Sequence, residues 1–370
     1  MIKLKFKIQK LKPKFEIQKD ILQGDYRGRF VGSGKIDSGL WAGIVIVAAI
    51  AAGFCAVMFF DTTGQKGSGL PADYVYDISQ YARIDPALIL YRQAGAAIPT
   101  GLKTTKAIAV QKEIYVAGDK DIVIFDKTGT LQNKIALDKE PTSLAVNDEG
   151  VIVAGLGSTI VMMNLQGKEQ SRWAAPAADA ILTSIALNKE MIFAADAVNG
   201  RIYEYDWKGN LVRTVGQKTT GRQEQSGFVI PSPYFDIAMA SDGLLRVVDP
   251  GRHLIVAFTV AGDREWAWGK ATPAIEGFSG CCNPVNFAIL PDGSFVTVEK
   301  GLVRVKIYNA EGKFIGVVAG PEQLEWTQQQ QVCNTPQECQ SKGFDVAVGK
   351  DGEIYVLDTV KNVVRVFEKK

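Results

Sequence analysis

Histidine is almost missing from this chain. His253 is the only one in 370 residues, and one histidine cannot build a histidine-rich zinc centre. It ends the turn DPGRH (249–253) and reads as a surface turn residue. Cysteine is scarce as well: Cys55, Cys281, Cys282, Cys333 and Cys339 are all there is. No C-x-x-C-H is present, which excludes a c-type haem attachment, and no C-x-x-C corner marks a zinc ribbon. No glycine-rich loop opens a helix as a nucleotide site would require. The bulk of the chain also lacks a positive surplus. Residues 1–40 hold ten Lys/Arg and four acids, which leaves 32 basic and 36 acidic residues for 41–370. A body of that charge does not neutralise phosphates, so nucleic acid is not an expected partner.

What is present begins with a run of 20 residues, WAGIVIVAAIAAGFCAVMFF (41–60), without a single charge. A helix of that length rises about 30 Å, the thickness of a bilayer's hydrocarbon. Trp41 and the Phe59-Phe60 pair suit its two interfaces. Phe54 precedes Cys55 where a lipid-attachment site needs a small residue, so Cys55 reads as an apolar helix residue. The basic residues lie before the run, so the N-terminus is expected inside a bacterial cytoplasmic membrane and the rest in the periplasm or outside. In the tail, Ile2, Leu4, Phe6 and Ile8 alternate with Lys3, Lys5, Lys7 and Gln9, a period of two with one apolar and one basic face. Such a segment suits a partner's sheet edge or anionic lipid; a solvated tail is the alternative.

Beyond the run, one pattern repeats. Six apolar segments centre on alanine: AIAV (107–110), SLAV (143–146), SIAL (184–187), DIAM (236–239), NFAI (286–289) and DVAV (345–348). Four lead into a turn closed by glycine: NDEG (147–150), SDG (241–243), PDG (291–293) and KDG (350–352). A second strand follows, as in EIYV at 113–116 and 353–356, then a third, a further glycine turn in the first five cases, and a fourth. Repeated four-stranded antiparallel units predict propeller blades, six of them. The last unit stops before its fourth strand, and an open edge invites aggregation. Residues 88–92 are the expected outer strand that closes the ring. The predicted organisation is an all-β, six-bladed β-propeller over 88–370. A basic tail (1–40), a transmembrane helix (41–60) and a linker (61–87) precede it.

KDGEIYVLDTVKNVVRVFEKK (350–370) resembles the NHL-repeat family of six-bladed propellers, and the likeness extends over about 105–370. Units 1 and 2 depart from it, with Gly118 and Gly155 near the place of the usual acid at the end of strand two. The family includes binding scaffolds, lyases and lactonases, so the resemblance implies the fold far more than a task. Its lyase relatives hold metal with several histidines, which this chain lacks. Its lactonase relatives use a Glu/Asn/Asp set in the channel.

The positions two before each alanine should face that channel: Ala107, Ser143, Ser184, Asp236, Asn286 and Asp345. Asp236, Asn286 and Asp345 are hard oxygen donors of the kind calcium takes, with Ser143 and Ser184 as further candidate ligands. Hydrogen bonding to backbone and water is the alternative. Asp196, Asp249, Glu299 and Asp358 end second strands and are expected to stabilise turns. Cys281 and Cys282 fall between units 4 and 5, Cys333 and Cys339 between units 5 and 6. Both connections emerge on one face of the ring. In an oxidising compartment four cysteines read as two disulfides joining the two pairs; a metal or iron–sulfur cluster and a redox-active vicinal pair are the alternatives. Tyr234, Trp266, Trp268 and Trp326 gather on that face as a candidate interaction surface.

The leading expectation is a single-pass membrane protein whose exported propeller binds other subunits of an envelope complex. No catalytic residue and no cofactor is assigned. A channel hydrolase or lactonase with a bound cation, and a redox accessory protein with a cysteine-bound cluster, are the competing readings.

Overall fold

The computed structural model describes residues 38–59, 81, 83–216, 227–326 and 343–370. The chain divides into two compact units, Met1–Tyr76 and Asp77–Lys370. In the first, a helix of 22 residues runs over Ser38–Phe59 without a charged side chain. The side chains described on it, 42–53, are exposed, Val47 and Ile50 by 67% each. Among the described residues taken alone, no helix is long and apolar enough to cross a membrane. The helix backbone extends beyond those side chains at both ends.

The second unit is a ring of six antiparallel sheets. The innermost strands are Thr105–Val110, Ser143–Val146, Leu182–Leu187, Ile237–Met239, Asn286–Ile289 and Asp345–Val348, one for each alanine-centred segment. They adjoin one another around a central channel. Six apolar clusters hold the described blades together, one at each junction between neighbours. The cluster at the junction of blades 5 and 6, for example, sets Val296 and Val298 against Val346 and Ile354. Middle strands are therefore covered on both faces: Ile354–Asp358 and Arg304–Tyr308 are buried at every position.

The two glycine turns have separate jobs. Gly352, in the first turn of blade 6, has φ +88 and only open space around a would-be Cβ, so conformation alone selects it. Gly312, in the second turn of blade 5, has φ +79, and a Cβ there would lie 2.3 Å from the indole of Trp268. Trp268 belongs to the outer strand of blade 4, Arg264–Trp268. Gly129, Gly167 and Gly209 press in the same way on Ile98, Ile135 and Trp173 of the preceding blade.

The ring closes at blade 6 as expected, with a strand that overlaps 88–92 but starts later: Tyr91 and Arg92 pair with the last strand, and Leu90 O accepts the Lys370 amide at 2.9 Å. Pro86–Leu88 is a short 3-10 turn capped by Asp85, and it carries the closing strand further along the chain. Tyr91–Gln93 pairs antiparallel with Val363–Lys369, Tyr91 opposite Lys369 and Gln93 opposite Phe367. Ile98–Pro99 adds to the other end of the same strand. Just before, Leu90 donates its amide to Val317 O at 2.9 Å, so the segment also ties blade 5 to blade 6.

Candidate functional site

Where the inner strands begin, the channel opens into a cavity of about 330 Å³. Ser143, Ser184, Asp236, Asn286 and Asp345 all line it, together with Tyr234 and Thr359 from the loops around its mouth. The sequence pattern thus brought the channel positions together correctly. Their hydrogen bonds define what they do.

Asp236 joins three blades. Its Oδ1 accepts from Ser184 Oγ of blade 3 at 2.6 Å and from the Ile237 amide at 2.9 Å. Its Oδ2 accepts from the Phe287 amide of blade 5 at 2.8 Å. Asp345 repeats the device at the ring's closure: Oδ2 accepts the Ile108 amide of blade 1 at 2.8 Å and Oδ1 the Val346 amide at 2.9 Å. Asn286 donates to Phe344 O across the next junction. Thr142 and Thr183, which the pattern did not single out, donate to Leu182 O at 2.6 Å and Phe235 O at 2.9 Å. Both precede a serine of the channel set, and a Thr-Ser pair before the alanine segment was the available signal. Ser143 Oγ is buried without a partner.

Burial pushes the carboxyl of Asp236 well above the ordinary range, against the pull of its three donors. Asp345 is raised too, by burial first and by the nearby charge of Asp236 second. Two acids so coupled share their protons as a pair. Among the described residues no group of three or more His, Cys, Asp or Glu is placed to hold a metal ion.

Tyr234 stands at the cavity mouth. Its hydroxyl accepts from the Gly343 amide at 2.8 Å, and burial raises its pKa to about 12. The ammonium of Lys300 lies over its ring, 4.8 Å from the centroid. The other expected surface aromatics are largely internal. Trp268 is buried among Phe278, Phe295 and Tyr308, and Trp326 is buried against Phe344 with its indole N–H on Asp358. Trp266 is half-buried beneath Arg246. His253 is likewise buried, not a surface residue, with Nδ1 3.0 Å from Asn283 O. These side chains fill junctions between blades and loops, where large rings bury the most apolar area.

The acids that end second strands hold turns, as expected. Asp196 accepts the Ile181 and Val198 amides, Asp249 the Val229 amide, Glu299 the Ser279 amide and Asp358 the Val360 and Lys361 amides. In blade 1, Asp119 takes the role one residue later and accepts the Lys103 and Thr104 amides. Gly118 precedes it because a Cβ there would lie 2.0 Å from Thr104 O.

Cys281 and Cys282 are not bonded to one another; their sulfurs are 3.4 Å apart. Cys281 is exposed and Cys282 buried. Cys333 and Cys339 lie outside the described residues, and with them the expected bridges and the cluster alternative.

No protein-family model matches the chain, and no curated protein matches it. Solved structures do. A streptogramin B lyase is 13% identical over 76% of this chain and 98% of that one, with a TM-score of 0.51. The WD40 propeller domain of Doa1 is 13% identical over 76% of this chain and 97% of that one, TM-score 0.50. A Bacteroides thetaiotaomicron protein of unknown function is 13% identical over 75% of this chain and 73% of that one, TM-score 0.54. At such identity the likeness is one of fold: the second unit is a six-bladed β-propeller.

Proposed function

We propose that this chain is an NHL-type propeller held to the outer side of the cytoplasmic membrane by one N-terminal helix, and that it serves as a binding scaffold within an envelope complex. The observation that carries the scaffold reading is the use of the channel acids. All four carboxylate oxygens of Asp236 and Asp345 accept backbone amides at 2.8–2.9 Å, and two of the four bonds, to Phe287 and Ile108, cross to a neighbouring blade. Acids so engaged stiffen the ring at its mouth, and a rigid rim carrying variable loops is a platform for partners. The same engagement fits calcium poorly, because each oxygen already has an acceptor role. The uncharged helix and the basic residues before it support the anchor and its direction. The basic, alternating tail faces the cytoplasm in this reading, and the body carries no nucleic acid.

A second reading, a channel hydrolase or lactonase, draws on one observation: the two raised carboxyls share a cavity large enough for a small substrate. The experiment that separates them is isolation of the full chain from membranes opened with a mild detergent. The scaffold reading expects other envelope subunits in fixed proportion, retained in Asp236→Asn and Asp345→Asn variants. Hydrolysis of lactones by the isolated chain, lost in both variants, would put the enzyme in its place.

A further inference from the structure

The loop that carries the cysteine pair is clamped from below by a buried set of charges that no turn of this size requires. Glu299, at the end of blade 5's second strand, accepts the Ser279 amide on Oε1 at 2.8 Å. Its Oε2 pairs with Arg304 Nε at 2.6 Å and with Lys306 Nζ at 3.0 Å. The two cations then reach outward into the loop. Arg304 Nη1 donates to Pro273 O at 3.0 Å, and Lys306 Nζ donates to Ile275 O at 3.2 Å and to Gly277 O. All three side chains are essentially fully buried. The other side of the cysteines is held as firmly. Asn283 Nδ2 donates to Ser279 O at 2.7 Å and Lys300 O at 2.9 Å, and its Oδ1 accepts the Lys300 amide at 2.9 Å. Cys281 and Cys282 are thus suspended between two pinned residues, Ser279 and Asn283, with Gly280 at φ +74 making the turn. Their sulfurs meet at 3.4 Å, one facing solvent and one facing the protein.

We propose that Cys281 and Cys282 form a reversible dithiol–disulfide site that exchanges two electrons with a disulfide-bearing reactant. The exposed Cys281, as thiolate, attacks one sulfur of R–S–S–R and expels the first thiolate, leaving a mixed disulfide. Cys282 then attacks the Cys281 sulfur, forming the vicinal bond and expelling the second thiolate. The two protons lost by the cysteines leave on two RSH. The pair is oxidised and the reactant reduced by two electrons, and excess thiol reverses both steps. A disulfide needs sulfurs about 2 Å apart, so the sulfurs close by on the order of 1 Å within a loop already held in place. Access assigns the roles, Cys281 as the attacking sulfur and Cys282 as the resolving one. The hydrogen bond to Cys282, then burial, raises the pKa of the Cys281 thiol, so the exchange quickens as pH rises. This proposal stands independently of the scaffold reading and of the compartment.

The test uses the full chain in detergent, equilibrated across mixtures of reduced and oxidised glutathione, alkylated and digested with trypsin. Residues 271–300 form one tryptic peptide holding Cys281 and Cys282, and residues 314–342 another holding Cys333 and Cys339. The expected result is a 271–300 peptide that carries two alkyl groups at the reducing end. Towards the oxidising end it becomes lighter by two hydrogens and unlabelled, and reduction reverses the change. A Cys333→Ser, Cys339→Ser double variant should behave identically, and Cys281→Ser should abolish the change. A 271–300 peptide linked to 314–342, two labels at every mixture, or a bond that no reducing mixture opens would each overturn the proposal.

Discussion

Asp236 Oδ2 accepts the amide of Phe287 at 2.8 Å, so a side chain of blade 4 holds the backbone of blade 5. The same carboxyl takes Ser184 of blade 3. Asp236→Ala should therefore loosen two junctions at once. It leaves a buried amide without an acceptor, which costs about 1–3 kcal/mol, and Asp236→Asn should cost less. Urea unfolding of the two variants measures this; an alanine variant as stable as the parent would show that the junctions do not need the carboxyl.

The coupled pair gives a pH dependence of fixed sign. Both folded carboxyls are raised above the unfolded value, about 4, so the stability tied to their protons is full below that value and falls as pH rises through the raised range. Asp345→Asn removes one titrating member. Its melting temperature relative to the parent should rise between pH 5 and pH 8. A parent that gains on the variant over that interval would contradict the sign.

Glu299 neutralises two buried cations, and burial already lowers Lys306 to about 8 against the help of that carboxylate. Glu299→Ala leaves both uncompensated, a change worth about 3–5 kcal/mol, whereas Lys306→Met should be milder. The clamp on the cysteine loop goes with it, so Cys281 should alkylate faster in the alanine variant. Equal alkylation rates would detach the charge cluster from the loop.

Ring closure rests on a few backbone hydrogen bonds near the second unit's start, each worth about 1 kcal/mol net. Deleting residues 86–94 removes the pairing of Tyr91–Gln93 with Val363–Lys369 and the Leu90 bond to Val317, and leaves only Ile98–Pro99 on that strand. Loss of soluble protein or a steep fall in melting temperature is expected; an unchanged melting temperature would mean that the edge is covered otherwise.

Much of this architecture could be read in advance where local chemistry repeats. The alanine-centred segments mark inner strands because the same short pattern recurs once in each of the six units, and the turn glycines mark positive φ. What escaped reading lies where period two loses its meaning. In VRVKIYN (303–309) the alternation sets Arg304 and Lys306 on one face, which in an ordinary sheet would be the wet one. A middle strand of a blade has no wet face, so both cations are buried and must find Glu299. His253 in its turn, Trp268 on an outer strand and Trp326 in a connection are buried instead by packing against neighbouring strands and loops. The closing strand was displaced because Asp85 and Pro86 start a 3-10 turn before it. The channel acids were placed correctly, but their bonds to backbone amides belong to junctions between blades and carry no local signature.

Topology tests most directly the proposal that the propeller works outside the cytoplasm on a membrane tether. A protease should be added to cells whose outer envelope has been opened and whose cytoplasmic membrane is intact. The propeller should be cut away while a fragment carrying the basic tail and the 41–60 run stays with the membrane, protected. A propeller untouched until the cytoplasmic membrane is broken, or a mature chain that begins after residue 60, would contradict it.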